Sequence, residues 1–257
     1  MAIYSTEIAS QSIPSDNPIH QRLLYPYVQA AEMAKGSLLE VGCGEGRGVP
    51  CLMPRVSEYT AIDRNAEAIA GLQKQFPQGK YICDSFPPLR HFEAHSFDFA
   101  VSFQVIEHIK NDALFLSEIS RVLKPGGLAM LTTPNRPMSL SRNPWHIREY
   151  APEELAQKAQ PYFSRLSMKG ISGNQKVMAY YEQNKKSVEK IMKWDVLKLQ
   201  YRLPRQLLRI PYEILNRMNR NKLKNTNSDL TLSINHTDFF LTENAEQGID
   251  LFLIAQK

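Results

Sequence analysis

Cysteine is scarce in this sequence, with three residues among 257, at Cys43, Cys51 and Cys83. Their spacing matches no zinc-binding pattern, and an odd number of cysteines argues against a framework of disulfide bonds. We therefore expect no metal site. A reducing compartment is the simplest assumption for such a chain, which predicts a cytoplasmic location.

Long apolar runs are missing as well. No uninterrupted apolar segment approaches the roughly 18 residues that a membrane-spanning helix needs, so no transmembrane helix is expected. Hydrophobic residues nevertheless make up 43% of the chain, which is enough for a sizeable core and argues against a disordered protein. A chain of 257 residues fits one domain with an insertion, or one large and one small domain.

Acidic residues are rare in residues 185–225, where twelve Lys and Arg accompany only three Asp and Glu. This segment has a net charge of +9, whereas the formal net charge of the whole chain is +5. The basic character therefore belongs to one segment and not to the fold as a whole.

What the sequence does contain is a regular alternation of short apolar segments and helical segments. The predicted strands are residues 37–41, 58–62, 79–83, 96–103, 128–132, 163–171 and 249–255. Strands that alternate with helices at short intervals predict βαβ units. Right-handed crossovers between such units give an α/β fold with a doubly wound sheet, which binds ligands at the carboxyl ends of its strands.

Glycine is dense at one place only, directly after the first predicted strand. The segment 38–48 reads LLEVGCGEGRG and has glycines at positions 42, 44, 46 and 48. Glycine lets the backbone turn with positive φ and lets a ligand approach with no Cβ in the way. A strand, a glycine-rich turn and a following helix predict a loop that binds a nucleotide-like ligand.

Acidic residues near this loop distinguish between two cofactor classes. A dinucleotide loop places a pyrophosphate on a helix N-terminus, but Glu40 stands two residues before the first glycine and suits a cationic ligand. Asp63, at the end of the second strand, can accept both hydroxyls of a ribose. Asp84, after the third strand, can accept from an adenine amino group. S-adenosylmethionine has all three features, an amino group, a ribose and an adenine.

Five segments together resemble the class I S-adenosylmethionine-dependent methyltransferases, in particular the family related to ubiquinone/menaquinone-biosynthesis methyltransferases (methyltransferase type 11 domain). They are LLEVGCGEGRG (38–48), YTAIDRN (59–65), YICDSFPPL (81–89), FDFAVSFQVIEHI (97–109) and EISRVLKPGGLAMLTTPN (118–135). The resemblance implies a Rossmann-like, mostly parallel seven-stranded sheet whose antiparallel last strand lies between the fifth and the sixth. It also implies S-adenosylmethionine as cofactor and S-adenosylhomocysteine as product.

The resemblance further implies which residues bind the cofactor. They are Glu40, Gly42, Cys43, Gly44, Gly46, Asp63, Arg64, Cys83, Asp84, Ser85 and Gln104. Structural alternatives stay open for some of them. Asp63 could cap the following helix, Asp84 could be a loop residue without a ligand, and Cys43 and Cys83 could be small buried apolar side chains.

Residues 141–150 (SRNPWHIREY) are the candidate acceptor segment, because they concentrate aromatic, basic and titratable side chains after the fifth strand. The segment looks like the N-P-x-H-x-x-E-Y/F pattern of a subset of these methyltransferases. The predicted catalytic residues are His146, as a general base, and Glu149. The predicted acceptor-binding residues are Arg142, Trp145, Arg148 and Tyr150. The alternative is that His146 and Glu149 only hold this loop against the sheet.

The predicted organisation is an N-terminal arm and helix (1–36), a methyltransferase core (37–171), a basic helical insertion that forms a lid or cap (172–236) and a C-terminal strand (237–257). Within residues 201–220 apolar side chains fall largely on one helical face. The helix could cap the active site with this face inward, or it could lie on an anionic bilayer. Nucleic acid is less favoured as a partner, because interleaved aromatic residues are missing.

The function expected from the sequence is therefore the transfer of a methyl group from S-adenosylmethionine to a small-molecule or lipid-linked acceptor. In that case the protein is cytoplasmic, with peripheral membrane contact through residues 201–220 as one option. Two alternatives stay open, an RNA or protein methyltransferase that uses the basic insertion, and a non-catalytic domain that binds S-adenosylmethionine. The oligomeric state stays open too.

Overall fold

The computed structural model of the chain describes Thr6, residues 9–193, Asp195 and residues 199–257. It divides into two compact units. The sheet unit consists of Pro26–Met138, Arg148–Ile171 and Leu241–Lys257, and the helical unit consists of Met1–Tyr25, Ser139–Ile147 and Ser172–Phe240.

One mixed sheet of eight strands forms within the described residues. The strands are β1 (Ser37–Val41), β2 (Glu58–Asp63), β3 (Lys80–Cys83), β4 (Phe97–Phe103), β5 (Leu123–Pro134), β6 (Arg165–Gly173), β7 (Phe239–Thr242) and β8 (Asp250–Gln256). Their order is β3-β2-β1-β4-β5-β8-β6-β7. The first five strands pair in parallel, whereas β8 is antiparallel to β5 and β6. The predicted Rossmann-like α/β fold is confirmed, including the antiparallel last strand between the fifth and sixth.

Two details of the sheet differ from the predicted pattern. The sheet has one strand more than the predicted seven, because the four residues of β7 add a strand beside β6. Such a short run gives little periodicity from which a strand can be predicted. In addition, β5 begins at Leu123 and not at the predicted residue 128, so that residues 125–127 belong to the strand. Its pairing with β4 is irregular between Phe97 and Phe99, and Gly126 has a φ of +77°.

Helices connect these strands and precede or follow them along the chain. They are α1 (Asn17–Met33), α2 (Val49–Leu52), α3 (Ala66–Gln75), α4 (Asp112–Val122), α5 (Pro152–Ala159), α6 (Gln175–Met192), α7 (Leu199–Arg202), α8 (Arg205–Thr226) and α9 (Ser228–Ser233). Among the helices of the described residues, none combines the length and apolar character needed to cross a membrane.

The core of the sheet unit fixes the strands whose carboxyl ends carry the predicted cofactor residues. All five residues of β1 are buried, as expected for a central parallel strand that is covered on both faces. Ala100 of β4, Phe115 of α4 and Leu253 of β8 belong to one apolar cluster and are at most 1% exposed. The packed core therefore holds the carboxyl ends of β1, β2 and β4 in fixed positions.

The helical unit is held together by polar contacts between its N-terminal residues and its C-terminal helices. Asp16 is fully buried, and its carboxylate accepts from Nη1 of Arg217 at 2.6 Å and from Nη1 of Arg220 at 3.1 Å. The side-chain amide of Asn17 donates to the carbonyl oxygens of Thr231 and Ile234, both at 2.9 Å. The predicted insertion 172–236 thus shares a unit with the start of the chain, and its role as a lid stays a prediction.

The orientation of α8 corrects one expectation. A cap formed by residues 201–220 with the apolar face inward would bury that face, but Leu207, Ile210, Ile214 and Met218 are all more than half exposed. The opposite, polar face supplies the buried contacts, such as those of Arg220 with Asp16. The helix therefore packs through polar side chains and Leu223, which is 6% exposed, and leaves the apolar face with Leu207 and Ile210 outside.

Asp16→Ala should destabilise the helical unit, because Arg220, which is 6% exposed, would lose its buried charge partner. Breaking a buried ion pair costs about 3–5 kcal/mol. Urea unfolding followed by circular dichroism measures the change. Glu189→Ala, which removes an exposed carboxylate of α6, serves as the matched control and should leave the transition unchanged. An equal midpoint for Asp16→Ala and the wild-type chain would contradict the assignment.

Candidate active site

The glycine loop after β1 is built from residues in left-handed conformations. The φ angles are +85° at Gly42, +51° at Gly44 and +79° at Gly46, values that side chains with a Cβ rarely adopt. A Cβ on Gly44 would meet no atom within 4 Å. The loop therefore presents bare backbone beside open space at this position, as a ligand-binding turn requires.

Asp63, the last residue of β2, holds this loop in place. Its Oδ2 accepts from the backbone N–H of Gly44 at 2.9 Å, and its Oδ1 accepts from the N–H of Asn65 at 2.9 Å. The cap of α3 is Asn65, whose side-chain oxygen accepts from the N–H groups of Glu67 and Ala68. Asp63 is therefore not the helix cap. Each carboxylate oxygen can accept a further hydrogen bond.

Glu40 lies in the interior of the sheet unit, between two tyrosines. Tyr27 donates its hydroxyl to Oε1 at 2.8 Å, and Tyr59 donates its hydroxyl to Oε2. Burial raises the pKa of Glu40 to about 7, although both hydroxyl contacts act to lower it. Burial and the charge of Glu40 raise the pKa of both tyrosines, so the hydroxyls keep their protons.

Tyr27 can reach Glu40 because Gly48 has no side chain. A Cβ on Gly48 would stand 2.1 Å from the ring of Tyr27. The last glycine of the LLEVGCGEGRG segment thus serves a close approach of α1. The thiol of Cys43 is also buried here, and burial raises its pKa, which keeps it a neutral, small side chain.

The end of β3 presents an exposed polar cluster. The carboxylate of Asp84 lies 2.7 Å from Nε2 of His91 and 3.4 Å from Nε of Arg90, and its Oδ1 accepts from the N–H of Ser85. The hydrogen bond with His91 lowers the pKa of Asp84. The thiol of Cys83 donates to the carbonyl oxygen of the exposed Arg64 at 3.8 Å, so the ends of β2 and β3 meet here.

Gln104 follows β4 with a φ of +58°, an unusual value for a residue with a side chain. Its N–H donates to the carbonyl oxygen of Thr132 at 2.9 Å, and its side chain lies 3.4 Å from Oγ1 of the same threonine. Residues held in such conformations cost about 1–3 kcal/mol and concentrate at functional sites. The strain supports the predicted position of Gln104 in the cofactor site.

The predicted acceptor segment 141–150 is divided between the two units. Arg142, Trp145 and His146 belong to the helical unit. Trp145 donates from Nε1 to Glu213 at 2.9 Å, and the guanidinium of Arg209 lies 4.1 Å from the centre of its ring. Nε2 of His146 lies 2.8 Å from the side-chain amide of Asn143, and Nη1 of Arg142 donates to the carbonyl oxygen of Gln200 at 2.7 Å.

Arg148, Glu149 and Tyr150 belong to the sheet unit. Tyr150 is 1% exposed, and its hydroxyl donates to Asp112 at 3.0 Å. Arg148 donates to the same carboxylate and to the carbonyl oxygen of Lys110. This geometry favours a structural role for Arg148 and Tyr150, in place of the predicted contact with an acceptor. Glu149 is half-buried, and its catalytic role stays a prediction.

Sequence reasoning missed three residues that shape the site. Tyr27 and Tyr59 were not identified, although an acidic residue inside a strand signals a need for buried donors. Asn135, next to the end of β5, is fully buried and donates to the carbonyl oxygens of Ala245, Glu246 and Gly248 at 2.7–3.1 Å. It fixes the turn before β8, and no local signal marks it.

Glu40→Gln should flatten the pH dependence of stability. Between its ordinary pKa of 4.5 and its pKa of about 7 in the structure, Glu40 binds a proton in the folded but not in the unfolded state. The free energy of unfolding should therefore fall as pH rises through this window, by about 3 kcal/mol in total. Glutamine is neutral throughout and lacks this contribution.

Urea unfolding of both proteins from about pH 4.5 to about pH 8 measures the difference. Glu93→Gln, the same substitution at an exposed position, is the control and should retain the pH dependence of the wild type. Parallel pH profiles for Glu40→Gln and wild type would show that Glu40 titrates normally.

Part of the chain is similar to known methyltransferases. The family model described as "Methyltransferase domain" matches residues 39–131. A probable S-adenosylmethionine-dependent methyltransferase of Mycobacterium tuberculosis is 35% identical over 142 residues, which cover 53% of this chain and 49% of that protein. The chain thus spans about half the length of this relative.

Two further relatives have names that state a reaction. The phthiotriol/phenolphthiotriol dimycocerosates methyltransferase of Mycobacterium leprae is 28% identical, over 62% of this chain and 60% of that one. A ubiquinone biosynthesis O-methyltransferase of Xanthomonas oryzae is 31% identical, over 43% of this chain and 48% of that one.

The fold agrees with a solved structure over nearly the whole chain. A methyltransferase of Thermotoga maritima, described as a possible histamine N-methyltransferase, has a TM-score of 0.57 at 14% identity and covers 93% of this chain and 91% of its own. S-adenosylmethionine is the methyl donor that the description of the Mycobacterium tuberculosis relative names. In its residues 39–131, its glycine loop and its strand order, the chain is therefore similar to S-adenosylmethionine-dependent methyltransferases.

Proposed function

We propose that the protein transfers a methyl group from S-adenosylmethionine to a small-molecule or lipid-linked acceptor. The observation that supports this proposal is the arrangement at the ends of β1 and β2. The backbone N–H of Gly44, which has open space beside its Cα, donates to the carboxylate of Asp63. Glu40, in the neighbouring strand β1, is buried. S-adenosylmethionine is an amino acid joined to a nucleoside. Carboxylates such as Asp63 and Glu40 can accept hydrogen bonds from its ribose hydroxyls and its amino group.

The residues of the sheet unit fit the cofactor in the following way. Gly42, Gly44 and Gly46 would leave room for the methionine part, and Asp63 would accept from the ribose hydroxyls with its remaining lone pairs. Cys83, Asp84 and Ser85 would border the adenine. Arg64 would lie beside them, and Gln104 would face the methionine end.

Glu40 would respond to the charge of the cofactor. An ammonium group close to a buried carboxylate favours its ionised form, because opposite charges attract strongly where water is excluded. In that case the bound cofactor would lower the pKa of Glu40 from about 7, so that Glu40 would lose its proton when the cofactor binds. The hydroxyls of Tyr27 and Tyr59 would then hold the ionised carboxylate in place.

The bound cofactor would supply a methyl group on a positively charged sulfur, which becomes a neutral leaving group. The protein's task would therefore be to position the acceptor and to exclude water. His146, oriented by Asn143, and Glu149 are proposed as general bases. A general base would not be needed if the molecule that receives the methyl group loses its proton readily. Trp145 and Arg142 would contact the acceptor.

A lipid-linked acceptor is favoured over a nucleic acid or a protein for two reasons. One relative with a matching domain is named as a methyltransferase of phthiotriol/phenolphthiotriol dimycocerosates. In addition, residues 201–220 expose apolar side chains, and peripheral membrane contact of a cytoplasmic enzyme through them would bring it to such an acceptor.

Asp63→Ala should weaken the binding of S-adenosylmethionine. The variant loses the proposed ribose contacts and the acceptor of the Gly44 N–H. Hydrogen bonds to a charged group contribute about 1.5–3 kcal/mol, which corresponds to roughly a tenfold to hundredfold rise in Kd. Isothermal titration calorimetry with S-adenosylmethionine and with S-adenosylhomocysteine measures this effect.

Glu93→Ala, which removes an exposed carboxylate of the same unit, is the control and should bind like the wild type. An unchanged Kd in Asp63→Ala would refute the ribose assignment. Wild-type protein that binds neither compound would refute the proposed function as a whole. Binding without methyl transfer to any small-molecule or lipid acceptor would instead support the non-catalytic alternative.

A further inference from the structure

We infer that the exposed face of α8 binds an anionic lipid bilayer, with the helix lying in the plane of the membrane surface. The inference rests on the proposed function in one respect. Membrane binding would serve methyl transfer because a lipid-linked acceptor lies at such a surface. It does not depend on methyl transfer for its test.

The first step is that α8 packs against the rest of the helical unit through several polar side chains and through Leu223, which is 6% exposed. Arg217 and Arg220 bind Asp16, and Asn219 donates from its amide to Asn184 at 2.7 Å. Glu213 accepts from the indole of Trp145 and, at 2.7 Å, from the N–H of Thr6. These contacts fix the rotation of the helix about its axis, so that one face is turned inward.

The second step is that the outward face is a continuous apolar stripe. Leu207, Ile210, Ile214 and Met218 follow each other at spacings of three and four residues, which places them on one side of a helix. Their exposed fractions are 64%, 72%, 55% and 62%. Leu215 widens the stripe with 44% exposure.

Scattered exposed apolar residues are common in folded proteins, but a contiguous stripe of this kind marks an interaction surface. The helix also has the composition of an interfacial helix, because its most exposed apolar residues share one face and it contains six Lys and Arg. A bilayer interface accepts such a helix along its whole length, without requiring a matching groove.

The third step concerns charge. Residues 205–226 contain six Lys and Arg and a single acid, Glu213, whose carboxylate is bound on the inward side. No carboxylate of the described α8 therefore faces outward to repel an anionic surface. The exposed Lys222 continues the outward face, and Arg202 is exposed just before the helix. Basic residues near a membrane surface are attracted to anionic lipids.

Flotation with lipid vesicles tests this inference on the full chain without cofactor. We expect the wild type to bind vesicles of phosphatidylcholine and phosphatidylglycerol in equal parts, and to bind pure phosphatidylcholine much more weakly. The double variant Ile210→Gln/Ile214→Gln should bind the anionic vesicles at least tenfold more weakly, because two large apolar side chains would no longer enter the interface. Lys222→Gln should reduce binding less, and added salt should weaken the wild type.

Leu232→Gln/Phe240→Gln is the matched control, since both side chains are exposed and apolar and lie in the helical unit but outside α8. It should bind vesicles like the wild type. Circular dichroism and urea unfolding should show that both double variants fold, which is expected because all four positions are exposed.

Three results would overturn the inference. They are an absence of binding to the anionic vesicles, equal binding by the Ile210→Gln/Ile214→Gln variant, and a wild-type dimer in solution that this variant abolishes. The last result would assign the face to a second copy of the chain. Calorimetry with S-adenosylmethionine tests the proposed function separately, so failure of one measurement leaves the other standing.

Discussion

The hydrogen bond from the Gly44 N–H to the carboxylate of Asp63 is the contact on which the geometry of the glycine loop depends. The loop consists largely of residues without side chains, so it has few contacts of its own to select one conformation, and glycine loses more freedom on ordering than any other residue. Asp63 stands at the end of a strand that pairs with β1 through Ile62 and Val41. It therefore transfers the rigidity of the sheet to the turn.

This dependence explains why an acid at the end of β2 serves more than one purpose. One oxygen accepts from Gly44 and the other from Asn65, which in turn caps α3. The loop and the helix start are thus aligned by a single side chain. A ligand that used the remaining lone pairs of Asp63 would meet a carboxylate whose orientation is already fixed, and it would bind without the cost of ordering it.

Glu40 illustrates a second constraint, which concerns charge. A buried carboxylate is costly in its ionised form, and two tyrosine hydroxyls reduce that cost without removing it, since the pKa remains raised to about 7. The interior therefore holds a group that ionises easily when a cation approaches. A fully satisfied ion pair at this position would give no such response.

The sequence predicts the sheet and the loop well, because both depend on local pattern. Alternating strands and helices, the LLEVGCGEGRG segment and Asp63 after the second strand are visible in short windows. The partners of Glu40 are not, since Tyr27 and Tyr59 lie 13 and 19 residues away in other elements. Asn135 likewise binds a turn more than 100 residues further along. Contacts of this range follow from the completed fold.

The orientation of α8 shows a different limit. Periodicity identifies an apolar and a polar face, but it does not say which face is turned inward, and the usual choice of the apolar face is wrong here. The decisive group is Asp16, whose buried carboxylate is matched to Arg217 and Arg220. Because one acid binds two arginines of the same helix, turning the helix over would leave all three charges without partners. In water, the hydrophobic effect would favour a buried apolar face and an exposed charged face. Ion pairs lose hydration when they are buried, and apolar side chains that stay exposed contribute no hydrophobic stabilisation. An arrangement that is costly in water becomes favourable once a second, apolar phase covers the stripe, and this is the condition that a membrane surface provides.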